Sequence, residues 1–138
     1  TAITGNPSAT TATLVLANVQ AADATTYDVV VTNSVTSVTS AAAALTVTPV
    51  APTITTAPVA ATVLSGNNAT FTVAATGTTP FTYQWRKGGV PLGNGAVPNA
   101  ATVSGATGAT LTLTAVTTAD AANYDVIVTN SVASAAPW

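Results

Sequence analysis

The sequence predicts an all-β protein built from β-sandwich units, and two observations lead to this prediction. Apolar residues alternate with Thr over several short stretches, a period of two that is typical of antiparallel strands with one buried and one exposed face. One phrase is also written twice. Residues 22–35 read ADATTYDVVVTNSV and residues 119–132 read ADAANYDVIVTNSV, identical at eleven of fourteen positions.

The two copies are 97 residues apart, since Asp23 corresponds to Asp120 and Tyr27 to Tyr124. The match extends upstream, where SATTATLVLANV at residues 8–19 parallels GATGATLTLTAV at residues 105–116. A fixed period indicates an array of similar units. A period of 97 residues suits a small β-sandwich and is far longer than a solenoid repeat.

Strands are predicted in chain order wherever the alternation appears. The first copy offers TLVL, YDVVV and LTVTP, and the second offers ATFTVAATG, FTYQWRK, TLTLT and YDVIV. Gly and Pro separate these stretches, as turns require. The apolar positions of one parity form the predicted core, which comprises Leu14, Leu16, Tyr27 and Val29 in the first copy and Phe71, Val73, Trp85, Leu111, Leu113, Tyr124 and Val126 in the second.

The segment TLTAVTTADAANYDV resembles the corner that leads into strand F of an immunoglobulin-superfamily domain. That family places Asp, a small residue, Tyr and Cys at alternate positions there, and this chain has Asp120, Tyr124 and Val126 in the same frame. Trp85 resembles the core tryptophan of strand C. It follows Val73 by twelve residues, and Val73 stands where the family has its first Cys.

The departure from the family is that valines occupy both cysteine positions. In such folds the disulfide joins the two sheets beside the tryptophan, and its loss typically costs about 2–5 kcal/mol. We expect Val73 and Val126 to fill that space beneath the indole of Trp85. The chain is therefore similar to the cysteine-free immunoglobulin-like repeats of large bacterial surface and secreted proteins.

The resemblance also implies structural roles for the tyrosines and aspartates. Tyr27 and Tyr124 would place their rings in the core and bond their hydroxyls to nearby backbone. Asp23 and Asp120 would accept hydrogen bonds in the turn before strand F.

Three segments follow from this frame. Residues 1–48 form a partial immunoglobulin-like unit with strands E, F and G, residues 49–52 form a Pro-rich linker, and residues 53–138 form a unit with a truncated last strand. A sandwich that lacks strands leaves apolar faces and an open edge. Two explanations remain: the residues belong to a longer tandem array, or the subunit borrows strands from another copy, as donor-strand fibres do.

The charge content is low, with two basic and four acidic residues in 138. A nucleic-acid footprint or a polybasic membrane patch requires clustered Lys and Arg, so neither is predicted, and no apolar run is long enough to insert in a membrane. His, Cys and Glu are absent, so the sequence predicts no catalytic site, no metal site and no cofactor. Arg86 is expected near Asp125 across neighbouring strands.

Two positions carry weaker predictions. Asn68 begins the triplet NAT, a formal N-glycosylation acceptor, and the many Ser and Thr residues also permit O-linked sugar. Trp138 follows Pro137 and is read as the end of the ordered chain.

The predicted function is that of a structural repeat in an extracellular or cell-surface fibre, stalk or adhesin. Its expected partners are further copies of itself or flanking immunoglobulin-like units. The alternative is a carbohydrate- or ligand-binding accessory module of a secreted enzyme, which would expose aromatic residues on one sheet face.

Overall fold

The computed structural model describes residues 3–136, and the chain divides into two compact units, Thr1–Thr48 (unit 1) and Pro49–Trp138 (unit 2). Strands, short 3-10 turns and loops make up these residues, with no α-helix among them. The all-β prediction is therefore confirmed. Within the same residues, no helix is long and apolar enough to cross a membrane.

Residues 3–48 of unit 1 contain four short strands in two antiparallel pairs. They are β1 (Thr26–Tyr27), β2 (Val30–Thr32), β3 (Ser37–Thr39) and β4 (Ala43–Ala44). β1 pairs with β4, and β2 pairs with β3. The chain turns between β2 and β3 at Asn33, whose Oδ1 accepts hydrogen bonds from the N–H groups of Val35 and Thr36. The repeated phrase thus forms one arm of a hairpin.

Two sequence-based predictions for unit 1 are wrong. Leu14 and Val29, predicted as core residues, are exposed by 38% and 48%, while Leu16 and Tyr27 are half-buried. The predicted strand E does not form. The backbone of Val15 is held instead by the side chains of Asn6 and Ser8, each at 2.8 Å.

The predicted strand E is absent because a strand needs hydrogen-bonding neighbours along its edges and a covering layer on its apolar face. In unit 2 the equivalent strand is paired along both edges and its leucines are covered by a second sheet. The described residues of unit 1 supply no flanking strand and no facing sheet at Leu14. Without those neighbours, the backbone of this segment has no strand to form hydrogen bonds with, and its apolar side chains are not buried.

Residues 49–136, the described part of unit 2, contain nine strands. They are β5 (Thr53–Thr56), β6 (Ala69–Thr72), β7 (Ala74–Thr76), β8 (Thr82–Lys87), β9 (Val90–Pro91), β10 (Thr102–Ser104), β11 (Thr110–Thr114), β12 (Tyr124–Thr129) and β13 (Ser134–Ala135). One sheet has the order β10-β11-β6, and another has the order β13-β12-β8-β9. β5 pairs with β7, and every pairing is antiparallel.

The β12–β13 hairpin repeats that of unit 1 in the same register. Val128 lies opposite Ala135 in unit 2, and the equivalent residues Val31 and Val38 lie opposite each other in unit 1. Asn130 again accepts bonds from the two N–H groups of the turn. A local sequence of this kind forms its turn whatever surrounds it.

The core of unit 2 lies between the two sheets and is centred on Trp85, which is fully buried. Val73 and Val126 belong to the same buried cluster, and Phe71 packs with its ring centre 6.3 Å from that of Trp85. The indole N–H donates to the carbonyl oxygen of Gly108 at 2.8 Å. The remaining buried apolar residues are Ala69, Ala101, Val103, Ala106, Leu111, Leu113, Val116 and Val128.

The predicted linker at residues 49–52 is part of unit 2. The N–H of Val50 donates to the hydroxyl of Thr78 at 2.7 Å, and the N–H of Thr78 donates back to the carbonyl of Val50 at 3.0 Å. Pro52 is buried. Unit 2 therefore begins before its first strand.

Gly105 is required at the turn between β10 and β11. Its φ is +75°, and a Cβ there would clash with the carbonyl oxygen of Thr110. We expect Gly105→Ala to lower the free energy of unfolding of unit 2 by about 1–3 kcal/mol, because both the backbone conformation and the contact become strained. Urea unfolding followed by Trp fluorescence measures this. Gly93→Ala is the control, since no atom lies within 4 Å of its added Cβ, and an equal loss in both variants would contradict the prediction.

Leu111 carries a second stability prediction because it is fully buried. Leu111→Ala should cost about 2–5 kcal/mol, from lost transfer free energy and the cavity left behind. Leu64 is 78% exposed, so Leu64→Ala should leave the urea midpoint nearly unchanged. Similar midpoints for the two variants would show that the core is not packed around Leu111.

Candidate functional site

Both units contain the same corner before the repeated strand. Tyr27 Oη donates to the carbonyl of Asp23 at 2.8 Å, and Tyr124 Oη donates to the carbonyl of Asp120 at 2.8 Å. A 3-10 turn precedes each tyrosine, Ala21–Asp23 in unit 1 and Thr118–Asp120 in unit 2. These are the hydroxyl contacts that the family resemblance implies.

Asp120 is the buried charged residue of this corner. Its Oδ2 accepts from the N–H groups of Thr117 and Ala101, both at 2.9 Å, and from the Thr117 hydroxyl at 3.1 Å. Burial acts to raise the pKa of the carboxyl, but the hydrogen bonds from Thr117 and Ala101, together with the charge of Lys87, outweigh it and leave the pKa below its usual value. The carboxylate thus ties the corner to the chain before β10.

The equivalent Asp23 has a simpler environment. Its Oδ2 accepts from the N–H of Gln20 at 2.7 Å, closing the 3-10 turn on itself. The residue is only half-buried. The local part of the motif is therefore the same in both units, and the long-range bond to Ala101 belongs to unit 2.

The other charged residues of unit 2 also make structural contacts. Arg86 Nε and Nη2 donate to the two carboxylate oxygens of Asp125, each at 2.7 Å, as the strand positions predict. Lys87 Nζ donates to the carbonyl of Ala119 at 2.8 Å and lies 3.5 Å from Asp120. The two side chains of this pair are 27% and 33% exposed, so solvent screens their attraction and the pair adds little to stability. Across residues 3–136, no group of three or more acidic, His or Cys side chains is placed to hold a metal ion.

A cleft of about 880 Å³ opens beside this corner. Its lining includes the chain at residues 57–63, the buried side chains of Phe71 and Leu113, and the corner with Tyr124 and Asp125. The rings of Phe71 and Tyr124 stack at 5.1 Å within it. Burial raises the pKa of the Tyr124 hydroxyl, as does the nearby Asp120 charge. The lining mixes apolar side chains with polar ones, including the Thr117 hydroxyl that donates to Asp120.

Sequence reasoning did not predict the cleft or the contacts of Asn130. The side-chain Nδ2 of Asn130 donates to the carbonyls of Val50 and Thr78, at 2.7 and 2.9 Å. A signal was present, because Asn33 occupies the equivalent position of the first copy.

The two weaker predictions stand as follows. Asn68 is exposed, and its Oδ1 accepts a bond from the N–H of Ala115 at 3.1 Å, so its modification by a glycan stays a prediction. Trp138 lies outside the described residues.

The lowered pKa of Asp120 generates a pH prediction. A carboxyl with a depressed folded-state pKa contributes stability that is complete above its unfolded-state pKa of about 3.9 and is lost as the pH falls through the folded-state value. Unit 2 should therefore lose stability below about pH 4. Asp120→Asn should reduce the free energy of unfolding at pH 7 by about 1–3 kcal/mol, and this deficit should shrink toward pH 2.5.

Urea midpoints from Trp fluorescence at several pH values test this. Asp23→Asn is the matched control, and it should leave the unfolding of unit 2 unchanged at every pH. Parallel pH profiles for the parent chain and Asp120→Asn would contradict the assignment.

Comparison with known proteins places this geometry in a family. A family model described as immunoglobulin domain matches residues 51–130, more than half of the chain. No curated protein matches. The solved immunoglobulin domains 1–5 of Sidekick-1 are 25% identical, with a TM-score of 0.66; the alignment covers 85% of this chain and 24% of that one.

Two further structures are similar. A chimeric titin Z1Z2-Z1Z2 tandem is 32% identical with a TM-score of 0.52, over 86% of this chain and 63% of that one. The extracellular domains 3–5 of Drosophila OTK are 23% identical with a TM-score of 0.56, over 87% and 39%. This chain thus spans about a quarter of the Sidekick-1 structure and well under half of the OTK structure.

The match to residues 51–130 covers every strand of unit 2 from β5 to β12, together with its central Trp85 and its corner Tyr124. The valines at positions 73 and 126 make it a cysteine-free member. The chain belongs to the immunoglobulin-domain family.

Proposed function

We propose that this chain is a non-catalytic structural segment of an extracellular or cell-surface fibre, stalk or adhesin, and that it acts by serial packing of immunoglobulin-like units. One observation carries the proposal: the same corner and the same hairpin occur in both units at an interval of 97 residues. A repeated unit with a short connection suits a spacer.

The charge distribution supports this role. Arg86, Lys87, Asp120 and Asp125 all stabilise strands or the corner, so unit 2 keeps no clustered charge for a polyanion, and its surface repels a second copy weakly. Further copies of the chain are its proposed partners.

A carbohydrate-binding role has less support. Such a module presents aromatic rings to solvent, but every aromatic residue in residues 3–136 is at least half-buried.

Electron microscopy and sedimentation of the purified full chain over a range of concentrations test the proposal. We expect elongated end-to-end assemblies that grow with concentration. They should persist at 1 M NaCl, since apolar and backbone contacts are not screened by salt. Compact monomers at every concentration would overturn the fibre role, and assemblies that dissolve in salt would overturn the apolar mechanism.

A further inference from the structure

The outer edge of β10 is closed by one residue of the preceding loop. β10 pairs with β11 along one edge, and no named strand lies along its other edge among the residues that the structure describes. Gly95 occupies that edge instead. Its N–H donates to the carbonyl of Val103 at 2.8 Å, and its carbonyl accepts from the N–H of Val103 at 2.9 Å. Because Val103 is 4% exposed, this bridge satisfies both backbone groups of a core residue.

Asn94 holds the same loop through its side chain. Its Oδ1 accepts from the N–H of Ala106 at 2.8 Å, and the carbonyl of Ala106 accepts from the N–H of Trp85 at 2.9 Å. Ala106 is buried, whereas Asn94 is exposed. One exposed amide thus connects the loop to the backbone of the central tryptophan.

Each residue of this pair meets a structural requirement. Gly95 has a φ of +127°, a backbone conformation that residues with a Cβ rarely adopt. Asn94 supplies the short side chain whose oxygen reaches Ala106. The fold therefore uses an asparagine directly before a glycine, and this is the one Asn–Gly pair in the 138-residue sequence.

An Asn–Gly pair has an intrinsic reaction in water. The main-chain nitrogen of the glycine loses its proton, and its electron pair attacks the side-chain Cγ of the asparagine. A bond forms between that nitrogen and Cγ, the Cγ–Nδ2 bond breaks, and Nδ2 leaves as ammonia. Water then opens the succinimide at one of its two carbonyls, which yields an aspartyl or an isoaspartyl residue. Glycine favours the attack because no side chain hinders its nitrogen.

We propose that Asn94–Gly95 is a deamidation site of unit 2 that the folded β10 edge holds unreactive, so that the reaction requires this edge to open. The attacking nitrogen must leave the carbonyl of Val103 before it can lose its proton to solvent. Ring closure also needs rotation about the bonds of Asn94, and the hydrogen bond to Ala106 restrains that rotation. This inference does not rest on the proposed fibre role.

The isoaspartyl product opens the edge that the asparagine helped to close. In that product the main chain runs through Cβ and Cγ of residue 94, so one methylene is added before Gly95. The bridge to Val103 consists of two hydrogen bonds in a fixed register, and the longer chain displaces it. An open strand edge is a template for pairing with another chain. The aspartyl product keeps the original main chain and therefore retains the bridge.

Deamidation rates of the full chain and of a peptide test the site. The peptide VPLGNGAVPNA, residues 90–100, supplies the unprotected rate. Both samples are kept in the same mildly alkaline buffer, and mass spectrometry follows deamidation at each asparagine. We expect Asn94 to react at least about tenfold faster in the peptide, because the folded edge is open for only a small fraction of the time. The full chain in urea should reach the rate of the peptide.

Asn99 is the internal control, since it is followed by alanine in the same peptide. It should react much more slowly than Asn94. Equal rates at Asn94 in the folded chain and the peptide would overturn the protection by the fold. A peptide in which Asn94 reacts no faster than Asn99 would overturn the site itself.

Hydrogen exchange at the amide of Val103 tests the opening of the edge. The isoaspartyl form is produced from the full chain in urea, purified and refolded. Its matched control is Asn94→Asp, which carries the same charge on an ordinary main chain. We expect the Val103 amide to exchange at least about tenfold faster in the isoaspartyl form than in Asn94→Asp, because its acceptor has moved away. The amide of Ile127, in the β8–β12 ladder, should exchange equally in both.

Two results would reject this consequence. Equal exchange at Val103 in the two forms would show that the added methylene leaves the bridge intact. Faster exchange at Ile127 as well as at Val103 would show that unit 2 unfolds as a whole, which contradicts a local opening of the β10 edge.

Discussion

The fold of unit 2 depends on burying one indole between two sheets that no covalent bond joins. Trp85 is inaccessible to solvent, and its N–H is satisfied by the carbonyl of Gly108. A buried N–H without a partner would cost free energy that the apolar contacts of the ring must offset. Gly105 allows the turn that brings this carbonyl into place. The position of the tryptophan therefore constrains the β10–β11 turn as well as the core.

The absence of cysteine transfers the joining of the sheets to apolar packing. Val73 and Val126 are both buried in the cluster around Trp85, where related domains have a disulfide. A disulfide stabilises chiefly by restricting the unfolded chain, which valines cannot do. The chain compensates through contacts that act in the folded state, including the carboxylate of Asp120 and the amide of Asn130, each of which joins segments far apart in sequence.

Comparison of the two units shows which features of the tyrosine corner depend on local sequence and which depend on distant parts of the chain. The tyrosine hydroxyl bond has the same length in both, because its donor and acceptor are four residues apart. The burial of the neighbouring valine differs completely, since Val126 is covered by a facing sheet and Val29 is not. Local contacts therefore form in both units, while burial requires the facing sheet that the described part of unit 2 supplies.

Alternation in the sequence by itself predicted the strands around Phe71, Trp85, Leu111 and Val126, and the strand positions predicted the Arg86–Asp125 pair, because these depend on a period of two and on contacts across one strand pair. The corner hydrogen bonds were implied by the family resemblance. The sequence did not determine that Leu14 and Leu111, at equivalent positions, have opposite environments, nor that residues 57–63 leave a cleft beside Tyr124. Burial is a property of what packs against a residue, and the partners of these segments come from distant parts of the chain. Only the tertiary structure decided which apolar faces are covered.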